Sequence, residues 1–333
     1  MAGAIGTEHR EIHLSEAQFA ASLDAAIDTL DQPTFDGLNS YYISRAVREA
    51  GLTVAMVGTG GDELFGGYPT FRALPTLQTW ARRTRAIPSA MRRGGAAIVS
   101  RLMAGGGAAI PPQTRWAKLP DIVDAGEDLT ALYQLAYALF LPSFQGDLLD
   151  GDPNAAVQNG LPVELARELD SDIANRTPVA AVAALELRLF LGERLLRDTD
   201  AASMAVSLET RLPLVDSVVV DAVARLPDAT RFNPLGRKAI LRRVGLEGLD
   251  PALFERPKRG FVLPFDRWIR HSLGRAMDDT MRDQGLAREV GLNGAAVERL
   301  WTGYLQGAPG LYWSRVWVLY VLIRWCHRHG VLV

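Results

Sequence analysis

The sequence predicts an α/β fold. An incomplete piece of parallel sheet at the front, residues 1–70, feeds a large helical remainder, residues 71–333, within the same domain. Three observations predict it. The apolar run Leu52 to Val57 has strand length and is followed at once by glycines at 58, 60 and 61. A helical stretch precedes that run and helical spacing resumes at Phe65, which is the order of a parallel βαβ layout. From about residue 70 the chain reads almost wholly helical.

Taken in order, Glu11-Ile12-His13-Leu14 is a short strand candidate. A helix is expected over Asn39 to Ala50, with Asp36 near its start and Gly51 as its stop. The strand Leu52–Val57 and its glycine loop follow. Breaks are expected at Gly105-Gly106-Gly107 and Pro111-Pro112. Val179 to Met204 is helical by composition, and Leu300 to Trp325 carries a wide apolar stripe in which Trp301, Trp313, Trp317 and Trp325 read as core. There is no internal repeat.

Composition narrows the function classes. The chain has 333 residues, 48% hydrophobic and 22% charged, enough for a sizeable core. Its 36 basic and 38 acidic residues leave a net charge of −2, which argues against nucleic acid and membrane partners. Arg82, Arg83, Arg85, Arg92 and Arg93 cluster without interleaved aromatics and read as a solvated helix face. Cys326 is the single cysteine, so an intrachain disulfide is excluded and a reducing compartment fits. Cys326-His327-Arg328-His329 has metal-binding letters without the spacing of a closed site, and reads as the polar end of a helix. The opening MAGAIGTEHREIHL lacks a signal-peptide pattern, and the late apolar run is broken by Arg315 and Arg324, so a cytoplasmic location is expected.

The chemistry concentrates in VGTGGDELFGGY, residues 57–68. Glycines there let backbone approach a ligand closely, and amides at a helix start bind anions. Asp62 and Glu63 can simply favour the helix dipole. If phosphate is bound beside them, a cation must stand between, and Mg²⁺ is the usual one.

Two further stretches accompany the loop: Leu195-Leu196-Arg197-Asp198-Thr199-Asp200-Ala201-Ala202-Ser203-Met204 running on through Glu209, Arg211, Pro213 and Asp216, and Arg256-Pro257-Lys258-Arg259-Gly260-Phe261. With Gly236-Arg237-Lys238-Ala239-Ile240-Leu241-Arg242 and Asp31-Gln32-Pro33-Thr34, their order and spacing closely resemble the synthetase domain of the glutamine-dependent asparagine synthetases. The resemblance covers nearly the whole chain. It implies an adenine-nucleotide alpha-hydrolase-like (ATP pyrophosphatase) sheet and an ATP-dependent ligase. Such a ligase adenylylates the side chain of aspartate, then lets ammonia form the amide. By that resemblance ATP and Mg²⁺ are the cofactors, and Asp62 holds the metal. Val57, Gly58, Gly60, Gly61 and Glu63 surround the nucleotide. Lys258 is a catalytic cation, and Arg211, Asp200 and Thr59 complete the catalytic set.

The chain also departs from that pattern. Ala2 stands where the family's glutaminase cysteine follows the initiator methionine, and the S-G-G-x-D-S pyrophosphatase loop is not found. The chain is therefore expected to begin after its own first strand, to leave an open sheet edge, and to need a separate chain supplying the glutaminase and the missing loop. Val57 replaces the family's serine, Thr59 a common glutamate that would assist ammonia, and Ala201 a common arginine. Two readings stay beside the ligase: a non-catalytic remnant, and an amide ligase acting on another carboxylate in peptide or antibiotic biosynthesis. Glu209 and Arg211, two residues apart, would not face each other on a helix, and a buried carboxylate–arginine pair in this motif would be architectural.

Overall fold

The computed structural model describes residues 2–34, 37–104, 113–149, 157–158, 160–255 and 263–333. Helix α1 (Gly37–Glu49) leads into strand β1 (Val54–Met56), and Gly51 between them has φ 90°, the left-handed turn expected there. Helix α2 (Gly61–Phe65) is a single turn. It stops at Gly66, whose φ of 69° ends the turn, and α3 (Thr70–Arg83) starts afresh. Helical spacing therefore does resume after the loop, but in two pieces.

Further along come α4 (Leu129–Tyr137) and a continuous helical run from Pro178 to Met204. That run has three parts: α5 (Pro178–Leu185), a π-helical segment (Glu186–Leu196) and α6 (Arg197–Met204). Strand β2 (Glu209–Arg211) follows and pairs with β1 in parallel, Val54 opposite Glu209 and Met56 opposite Arg211. A small antiparallel hairpin joins Val157–Gln158 to Leu161–Pro162. The second half continues with α7 (Ala239–Gly245), α8 (Gly294–Leu305) and α9 (Trp313–His329). The expected stripe over 300–325 is thus split, with Gly307 and Gly310 at φ 72° and 75° in the break.

The strand expected at Glu11–Leu14 does not form. A strand exists only with a partner, and this segment has none among the described residues. Its backbone leads instead into a helix (Glu16–Ala21) that Ser15 and Gln18 close with a reciprocal capping box, and Leu14 leans on the main core. The breaks expected at 105–107 and 111–112, and Asp36 at the start of α1, lie outside the described residues.

Most of the apolar weight sits in the helical body. Phe19, Tyr42, Phe265, Trp268 and Trp317 stack with ring centroids 4.5–6.2 Å apart, and Trp301 is buried with them in the same core. Trp313 and Trp325 pack at its margin. A second core joins Phe71 and Leu74 of α3 to Leu132 and Tyr133 of α4 and to Val182 and Leu185 of α5. The arginine cluster lies on α3, on the turn after it that holds Arg85, and on the helix Ser89–Ala104, and Arg82 and Arg93 pair with Glu127 and Asp124 at the surface. No helix among the described residues is long and apolar enough to cross a membrane.

Candidate active site around the glycine loop

The loop starts where β1 ends. Val57 donates its N–H to the Arg211 carbonyl at 2.8 Å, so backbone pairing alone brings the first motif beside the second. Gly60 has φ 97°, and a Cβ there would lie 2.5 Å from Val215 Cγ1, so neither the turn nor the space admits a side chain. Gly67 is constrained differently, since its Cβ would fall 1.8 Å from Asp62 Oδ1. The glycine therefore leaves the room that the Asp62 carboxylate occupies.

Helix α2 is too short to supply much dipole, and the N–H of Gly61 is already turned toward the Gly58 carbonyl at 3.4 Å. Positive charge comes from a side chain instead. Lys238, at the start of α7 with a left-handed φ of 49°, places Nζ 2.9 Å from Asp62 Oδ1, both groups partly buried. Sequence reasoning had Gly236-Arg237-Lys238 as part of a family pattern but gave Lys238 no role. Only the fold brings it to Asp62.

The other carboxylate of the loop points inward. Glu63 is 1% exposed and accepts a hydrogen bond from the Tyr68 hydroxyl at 2.7 Å. Burial, together with the nearby Glu63 carboxylate, pushes the Tyr68 hydroxyl far above its usual range, so it stays a donor. Arg231, buried, closes the other end of α2 by donating from Nε to the Leu64 carbonyl at 2.6 Å. The exposed turn Gly58-Thr59 is left as the outward side of the loop, Thr59 half-buried.

In the second motif the helix phase divides the acids. Asp198 is 3% exposed and accepts from Thr34 Oγ1 at 2.7 Å and Gln32 Nε2 at 3.5 Å, tying α6 to the Asp31–Thr34 segment. Asp200, two residues on, is exposed, and its backbone carbonyl accepts from the buried Ser203 hydroxyl at 3.3 Å. Glu209 and Arg211 do pair, at 2.7 Å, because they lie on a strand, where residues two apart share a face. The pair is exposed on both sides, so it is not the buried architectural one. Lys258 and its R-P-K-R-G-F stretch lie outside the described residues.

Among the described residues no three His, Cys, Asp or Glu side chains converge on a point that could hold a metal. At the far end, Cys326 is buried in α9 and His327 faces the Leu286 carbonyl at 3.0 Å, a helix end as expected.

The sequence profile of the asparagine synthase family matches residues 1–327. Two relatives, from Mycobacterium tuberculosis and Mycobacterium bovis, both named "Putative asparagine synthetase [glutamine-hydrolyzing]", are 26% identical over 347 residues. The match covers 100% of this chain and 48% of theirs. "Asparagine synthetase [glutamine-hydrolyzing] 1" of Bacillus subtilis is 25% identical over 277 residues, 82% of this chain and 40% of its own. The chain spans about half the length of the curated relatives it matches. No solved structure matches it.

Proposed function

We propose, from the premise that this chain belongs to the asparagine synthase family, that it carries the ATP-binding and amide-forming half of an asparagine synthetase-type reaction. Membership supports an ATP-dependent amide ligase in general. The finer reading is activation of the aspartate side chain by adenylylation, followed by amidation with ammonia.

The observation that carries it is the Asp62–Lys238 pair at the mouth of the loop. A single protein carboxylate can serve a Mg²⁺ ion that takes its remaining donors from phosphates and water. When bound, the ion would neutralise phosphate charge, with Asp62 as its protein ligand. Lys238 would meet phosphate oxygens as a point charge, as Lys258 would from the third motif. Val57 and Gly58 would present backbone to the nucleotide, with Gly60 and Gly61 shaping the turn. Thr59, on the outward turn, would face the reacting carboxylate, while Asp200 and Arg211 would border the site from α6 and β2. Glu63 would act from behind the loop through Tyr68.

A second reading is a nucleotide-binding remnant. It is favoured by the exposure of β1, whose Val54 and Met56 stand in solvent beside the loop. Pyrophosphate release from Mg-ATP with aspartate and ammonium separates the two. Release that requires aspartate supports the ligase, and release with a different carboxylate changes the substrate. Folded chain that binds Mg-ATP without release leaves the remnant reading. Release restored by adding a chain that supplies the pyrophosphatase loop would make the activity a shared one.

A further inference from the structure

Glu186 is the most deeply buried carboxylate among the described residues, at 0% exposure, and no ion pair reaches it there. It is instead ringed by hydroxyls. Thr70 Oγ1 donates to Oε1 at 2.5 Å, and the Tyr137 hydroxyl lies 2.9 and 2.8 Å from the two oxygens. The Tyr133 hydroxyl donates to Oε2 at 3.1 Å. These donors come from separate elements. Thr70 opens α3, Tyr133 and Tyr137 sit one turn apart on α4, and Glu186 opens the π-helical segment.

The same junction reaches the loop. Phe190, one turn beyond Glu186, meets the Tyr68 ring edge-on at 5.5 Å and the Tyr137 ring at 5.2 Å. Tyr68 holds Glu63, which adjoins Asp62, and Thr70 is two residues from Tyr68. Leu187 packs against the cluster of Leu64 and Phe65 on α2. In the other direction the helical run continues without a break from Glu186 into α6, which carries Asp198 and Asp200. The π-helical stretch between them has a widened hydrogen-bond pattern, a feature frequent at functional sites.

We infer that Glu186 is a positioning residue for the Asp62 loop. It is the common acceptor that fixes α3 and α4 on the π-helical segment, and it transmits that register to Asp62 through Tyr68 and Glu63. The inference rests on the reading that this loop binds Mg-ATP. Its physical basis is the cost of the alternative. A buried carboxylate without a cation is a poor source of stability, and an apolar side chain of similar volume would serve packing as well. What the carboxyl supplies and an apolar group lacks is direction, since each oxygen accepts along a fixed line from a named donor. Burial raises the Glu186 carboxyl above its ordinary value, and the hydrogen bonds from Thr70, Tyr137 and Tyr133 oppose that rise.

The test uses the full chain with Glu186→Gln and Glu186→Leu, reading Mg-ATP affinity by equilibrium dialysis beside the urea midpoint. Gln keeps an accepting oxygen for Thr70 and Tyr137, and its N–H₂ can donate to the Tyr133 hydroxyl oxygen, so affinity should stay within about threefold of the parent. Leu fills the space without direction, so the folded variant should bind Mg-ATP at least about tenfold more weakly. Leu at parental affinity, or Gln as weak as Leu, overturns the inference. If the Leu variant does not fold, Thr70→Val and Tyr137→Phe each remove one donor and should each weaken binding at least about threefold. Parental affinity in both overturns it equally. A parent chain that binds no Mg-ATP at millimolar concentration overturns the nucleotide reading itself, a result unlike any of the variant outcomes.

Discussion

The helical body around Trp317 and the two-strand sheet that carries the loop are built on opposite terms. In the body, Trp317, Phe19, Phe265 and Trp268 are buried against one another and aromatic planes meet at van der Waals distance. In the sheet, each strand is three residues long and Met56 is 76% exposed, although parallel sheets are ordinarily covered on both faces. The lesson is a division of labour. The body supplies the burial that holds the chain folded, and the sheet supplies positions: backbone that sets Val57 beside Arg211, and a turn that aims Asp62 at Lys238.

The strongest attempt to break that comparison is made in the body. Trp317→Ala should cost about 3–5 kcal/mol of unfolding free energy by urea titration, the range for emptying a fully buried aromatic position. Trp317→Phe should cost clearly less than the alanine change, because most of the ring volume stays and a buried indole N–H with no partner among the described residues disappears. If the alanine variant lost under about 1 kcal/mol, the body would not be where the stability lies.

The next effect is a pH dependence inside the helical part. Lys118 is buried and donates to the Leu135 and Ala138 carbonyls at 2.6 Å each, and burial lowers its pKa to about 8 from 10.5. Between those values the unfolded chain holds a proton that the folded chain does not. Stability should therefore rise with pH from about 8 to about 10.5, by about 1–3 kcal/mol. Lys118→Met should flatten that slope in urea midpoints taken across the window, and an unchanged slope would remove Lys118 as its source.

A smaller stability effect with a larger functional one is expected in the loop. Gly67→Ala would push a methyl group to 1.8 Å from Asp62 Oδ1, so the carboxylate must leave its place by Lys238. Mg-ATP affinity should fall at least about tenfold while stability drops by only about 1–2 kcal/mol. Unchanged affinity, measured by dialysis on folded protein, would separate the Asp62–Lys238 pair from nucleotide binding.

How much of this was legible in the sequence follows the same division. Local signals carried well: Gly51 ended α1 and the Leu52–Val57 run became β1, because these are decided by neighbours in the chain. What depends on partners did not carry. Glu209-Thr210-Arg211 has no apolar alternation, and it is a strand only because β1 lies beside it. For the same reason Glu209 and Arg211, read on helical spacing, were expected apart and are found paired. The choice between Asp198 and Asp200 was a matter of helix phase against the Gln32–Thr34 segment, which no motif encodes. Lys238 and Glu186 were invisible as site residues, since their meaning lies in Asp62 and in three hydroxyls distant in sequence.

The smallest expected effect is the sharpest test of the contrast. Met56 sits on β1 with three-quarters of its surface free, beside Val54 at 38%. A methionine in a covered parallel sheet would lose several kcal/mol on becoming charged, because an unpaired ammonium cannot be buried. Here the side chain already stands in solvent, so Met56→Lys should change the unfolding free energy by no more than about 0.5 kcal/mol in urea titration. The measurement should be made at two protein concentrations. A loss above about 1.5 kcal/mol at both would mean that the sheet face is packed within the chain and contributes to its stability. A loss that appears only at the higher concentration would mean that a second copy covers β1, and the exposed face would then be an interface.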